Sequence, residues 1–96
     1  MEVKVSGEEI TISGQIKTIE DYQKVKQVMN SIIDGNSKLL IIYIPDSLSI
    51  TSSVIGYFLK LVYENNITLN MHVKDDRLYN LLDVLNLVSV FNVKKM

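Results

Sequence analysis

The chain has 96 residues, no cysteine, one histidine and a net charge of −1. That is one domain's length, with room for one modest core. It excludes a disulfide framework or thiolate site and argues against nucleic acid as a partner, which would need a basic patch. No apolar run approaches the roughly 20 residues that span a bilayer. Met1-Glu2-Val3-Lys4-Val5 carries no signal-peptide core, so a cytoplasmic protein with no membrane partner is expected.

Val3 and Val5, then Ile10 and Ile12, alternate with polar residues, the period of half-buried strands. Ser6-Gly7-Glu8 between them reads as a hairpin turn, and Gly14 ends the second strand. Thr18 is placed to cap a helix with Glu20 and Asp21 in its first turn. Tyr22, Val25, Met29 and Ile32 form its core stripe, Glu20 and Lys24 an i,i+4 pair on the wet face, and Gly35 its left-handed stop.

The six apolar residues Leu39 to Ile44 have no polar interruption, which predicts a central strand buried on both faces. Pro45-Asp46 breaks the strand, and a polar loop with Ser47, Ser49, Thr51, Ser52 and Ser53 follows. The longer apolar run Val54 to Tyr63 predicts a second helix with the serine pair in its first turn. Ile55, Phe58, Leu59 and Val62 make its core stripe. Val54, Tyr57 and Leu61 make a second apolar stripe, to be covered either by the core or by a partner, which includes a second copy in a homodimer. Leu69, Met71 and Val73 alternate with Thr68, Asn70 and His72 as a further strand. Asp75-Asp76 opens a third helix with the stripe Leu78, Leu81, Leu82 and Leu85, ended by Asn86. Val88 to Phe91 closes the chain as a short strand or turn, and Lys94-Lys95-Met96 frays.

The order predicts a single α/β domain over residues 1–96: a small, mostly parallel sheet of four to five strands with an N-terminal antiparallel hairpin and three to four helices. Catalytic and metal constellations are lacking. One histidine supports neither a triad nor a His-based metal site, the four glycines fit no phosphate loop, and the acid pairs Glu8-Glu9 and Asp75-Asp76 sit at a turn and a helix start, where acids are favoured anyway. No cofactor, metal or enzymatic activity is expected. Ligands of open α/β sheets gather beyond the carboxyl ends of the strands, which points to Asp46 and the loop through Ser53. Asp46 is read there as either a site residue or the head of a local turn.

Thr51-Ser52-Ser53-Val54-Ile55-Gly56, opening a helix after the central strand, is similar to the Asp-Ser-Ser-Gly-Leu-Gly motif of the STAS domain, the fold of bacterial anti-sigma factor antagonists. Leu81 to Leu87 with Phe91 resembles that family's closing helix, and Gly14 falls where those domains have a glycine. The likeness runs from Val3 to Phe91, with Thr51 in place of the motif's aspartate, Val54 in place of its glycine, and Tyr43 where an Asp or Asn is frequent. The resemblance implies a non-enzymatic switch module. Its serine, Ser53 by position with Ser52 beside it, would be phosphorylated by a serine kinase that is also an anti-sigma factor, so changing which protein is bound. The working surface is then expected at Asp46, Ser49, Thr51, Val54, Tyr57 and Leu61. A nucleotide or another anion held at the second helix's N-terminus is the rival reading.

Overall fold

The computed structural model describes residues 1–96. Eight elements follow in order: β1 Glu2–Ser6, β2 Glu9–Ser13, α1 Ile19–Ile33, β3 Leu39–Ile44, α2 Ser52–Tyr63, β4 Thr68–Val73, α3 Asp76–Val84 and β5 Val93–Lys95. They build an α/β fold in which a five-stranded sheet runs β1-β2-β3-β4-β5. The β1–β2 hairpin is antiparallel and every other pairing is parallel. No helix is long and apolar enough to cross a membrane.

Strand order equals chain order, so each right-handed crossover carries its helix to the same side. The core records this. Ile10, Ile12, Leu40, Ile42, Ile44, Leu69, Met71 and Val73 are fully buried and pack with Val25 and Met29 of α1, Phe58 of α2 and Leu78 and Leu82 of α3 in one cluster. Phe91 closes it, edge-on to Phe58 with ring centroids 5.9 Å apart.

One-sidedness overturns the expectation that β3 is buried on both faces. Leu40, Ile42 and Ile44 are buried, but Leu39, Ile41 and Tyr43 are only half-buried, on a face with no helix. Uninterrupted hydrophobicity could not distinguish these two environments. The tail differs too: β5 pairs in parallel with β4, Met71 beside Val93, and its start is fixed by the Val93 N–H donating to the Val88 carbonyl at 2.8 Å. Val93 is buried, which repays the ordering of this strand.

Helix ends follow local chemistry. Thr18 and Asp21 form a reciprocal capping box on α1. The left-handed residue after α1 is Asn36, at φ 68°, rather than Gly35; Asn66 and Asn86 take the same conformation after α2 and α3. The Glu20–Lys24 pair is replaced by Lys24 Nζ donating to the Met1 carbonyl.

Candidate functional site

At the carboxyl edge of the sheet, the β2–α1 and β3–α2 loops are buckled together. The Gly14 N–H donates to Asp46 Oδ2 at 2.9 Å, Gln15 Nε2 donates to the Asp46 carbonyl at 3.0 Å, and the Leu48 N–H donates to Gln15 Oε1 at 3.0 Å. Ser47, the one fully buried polar residue, lies between them. Its hydroxyl accepts from the Ile16 N–H at 3.1 Å and donates to the Ser49 carbonyl at 2.6 Å, so both its roles are used. Gly14 has a reason of its own: φ is +84°, and a Cβ there would lie 3.2 Å from Met1 Cα. Asp46 is therefore a long-range anchor rather than the head of a local turn.

This buckle sets where α2 begins. Thr51, with extended φ and ψ of −79° and 155°, is the N-cap, and its Oγ1 accepts from the Val54 N–H at 3.2 Å. Ser52 and Ser53 are the first two helical residues and are exposed, as is Ser49. Across a cleft of about 190 Å³ stands the start of α1, with Lys17, Thr18, Ile19 and Tyr22 facing Thr51 and Ser53. Ile19 is 71% exposed and Leu48, on the adjoining loop, 40%.

The two helix starts differ electrically. On α1, Asp21 accepts from the Lys17 and Thr18 N–H groups, and these bonds hold its carboxyl below the usual range. The first turn of α2 has no acid, so its N-terminal partial charge is unbalanced by the chain's own side chains. On the third loop, the Arg77 guanidinium pushes Asp75 down to about 2, and Asp76 pairs with Lys95. No group of three or more acidic, His or Cys side chains is placed to hold a metal ion.

The structure thus gathers Asp46, Ser49, Thr51, Ser52 and Ser53 at one edge, and it corrects the other three expected residues. Val54, Tyr57 and Leu61 are buried core, not an outer stripe. Tyr57 points towards α1, where its hydroxyl donates to Asn30 Oδ1, and burial pushes its ionisation up to about 12. Ile55, Leu59 and Val62, expected in the core, are half-buried. The two stripes lie one helical step apart, on a helix that is apolar nearly all round. The sheet and the neighbouring α1, whose positions the sequence pattern does not give, decide which stripe faces inward.

Sequence reasoning missed Gln15, Lys17, Ile19 and Leu48. Gln15 carries no local signal, because its value lies in contacts with residues 46 and 48. Ile19 did carry one: it falls outside the Tyr22-Val25-Met29 stripe. His72 lies half-buried on the helix-free face, stacked on Tyr43 with centroids 4.9 Å apart. No protein-family model, curated protein or solved structure matches the chain.

Proposed function

We propose that this chain is a non-enzymatic, cytoplasmic regulatory module. It binds a protein partner at the carboxyl edge of its sheet and is switched by phosphorylation of Ser53, with Ser52 as the alternative acceptor, in the manner of an anti-sigma factor antagonist. The partner in this reading is a serine kinase that doubles as an anti-sigma factor. The observation that carries it is the pairing of exposed serines with exposed apolar side chains. Ser52 and Ser53 open α2, Ser53 lines a cleft together with the exposed Ile19, and the exposed Leu48 lies on the loop that leads into the same helix. Large apolar groups beside a polar rim fit an interface better than a solvated surface.

A phosphate on Ser53 would add about −1.5 to −2 charges in the first turn of a helix without acids of its own. The fold tolerates that charge. A partner seated on Ile19 and Leu48 would meet it at the interface, where an unmatched charge is costly. The test is binding of a partner recovered by affinity capture to Ser53→Ala and Ser53→Asp at equal folded concentration. The reading expects Ala to bind as the parent does and Asp at least tenfold more weakly; equal affinities would leave Ser53 without a switching role.

The acid-free start of α2 facing Lys17 also favours a second reading, a small phosphorylated ligand or other anion in the 190 Å³ cleft. A panel of nucleotides and inorganic phosphate would then raise the melting temperature, and Lys17→Ala would abolish the rise.

A further inference from the structure

We infer that the helix-free face of the sheet is a self-docking surface, on which a second copy of this chain packs by the same face. The strand registers place its residues. Glu2 and Lys4 come from β1, Glu9 and Thr11 from β2, Leu39, Ile41 and Tyr43 from β3, Asn70 and His72 from β4, and Lys94 from β5. Down the centre runs an unbroken stripe, Leu39-Ile41-Tyr43, widened by the His72 ring stacked on Tyr43. Leu39 and Ile41 belong neither to the core nor to the hydrophobics packed against it. A strand with both faces apolar, on a sheet with helices on one side only, leaves Leu39 and Ile41 outside the packed core of the monomer.

Charge selects the occupant. The face carries Glu2 and Glu9 against Lys4 and Lys94, a formal balance of zero with His72 neutral, which offers no attraction to a polyanion such as nucleic acid. The balance is uneven across the sheet. The β1–β2 side holds Glu2, Glu9 and Lys4, a net of −1, and the β4–β5 side holds Lys94, a net of +1. A two-fold axis along β3 lays Leu39, Ile41 and Tyr43 on their own counterparts. It also sets the net-negative side of each copy over the net-positive side of the other. Such an isologous contact is the commonest form of homodimer, and sheets pack face to face about 10 Å apart.

The area sets the class of contact. Five strands about 4.8 Å apart and 17–20 Å long give a face of roughly 20 by 18 Å. Two copies then bury on the order of 1,000 Å² together, the lower end of specific interfaces. A contact of that size fits a transient dimer better than an obligate one.

Sedimentation velocity from about 10 µM to 1 mM, on the intact chain, is the test. The weight-average mass should rise towards the dimer with concentration. Ile41→Lys should shift the midpoint at least tenfold higher while its circular-dichroism melt stays that of the parent. Tyr63→Lys, an exposed apolar residue on another surface, should leave association unchanged. A chain that stays monomeric to 1 mM overturns the inference and leaves the face to a different protein. So does association that Ile41→Lys leaves intact. Neither outcome bears on Ser53, which lies at the carboxyl edge and outside this face.

Discussion

The two faces of β3 are built from the same kinds of residue and live in different worlds. Leu40, Ile42 and Ile44 have no exposed surface; Leu39, Ile41 and Tyr43, interleaved with them, are only half-buried. Hydrophobicity alone did not decide which would be buried. Topology did, by sending every crossover helix to one side. The covered face holds the fold together, and the open face is available for other work.

Truncation on the two faces separates them most sharply. Ile42→Ala leaves a cavity under α1 and α2 and should cost about 2–5 kcal/mol in a urea titration. Ile41→Ala, one residue away, should cost under about 1 kcal/mol, because its environment is already part water. Similar costs at both positions would mean that the open face is not open in solution.

The covered side extends past the strand end through the buckle. Ser47→Ala removes a buried hydroxyl that both accepts and donates, leaving the Ile16 N–H unpaired. It should cost about 1–3 kcal/mol. Ser49→Ala, three residues short of the exposed serines, loses only an exposed hydroxyl and should stay within about 0.5 kcal/mol. Thr51→Ala should fall between, at about 1 kcal/mol, from loss of the α2 cap.

The smallest effect belongs to the Asp75–Arg77 pair, in which the guanidinium is exposed and the carboxylate half-buried. Asp75 has a folded pKa of about 2 against an ordinary 3.8. A depressed carboxylate contributes stability that is fully present above the unfolded value and is lost as pH falls through the folded one. The melting temperature of the parent should therefore decline between about pH 4 and pH 2 slightly more than that of Asp75→Asn.

Much of the architecture was legible because it is written locally. Alternation marked β1, β2 and β4, Thr18 with Asp21 marked the start of α1, and Asn86 marked the end of α3. What was not legible depends on how elements sit against one another. The inward stripe of α2 depends on α1, the bare side of β3 on the common side of the crossovers, and the order of Lys94 and Lys95 on the buried Val93. At the site, the loop and its exposed serines could be placed from the breaker Pro45 and the apolar run after Thr51. The partnership of Gly14, Gln15 and Ile16 with Asp46, Ser47 and Leu48 could not, because it joins segments about 30 residues apart that carry no matching local pattern.

Strand order that equals chain order also governs assembly in time. Every strand pairs only with its neighbours in chain order, so no pairing waits for a distant segment and each loop closure spans at most one crossover. A chain emerging from the ribosome can lay down β1 through β4 as a growing sheet before its last residues exist. Phe91 and Val93 come last: the ring that sits edge-on to Phe58 and the strand beside β4 close a sheet already standing. Pulse-labelled hydrogen exchange should accordingly find the amides of β3 and β4 protected before those of β5.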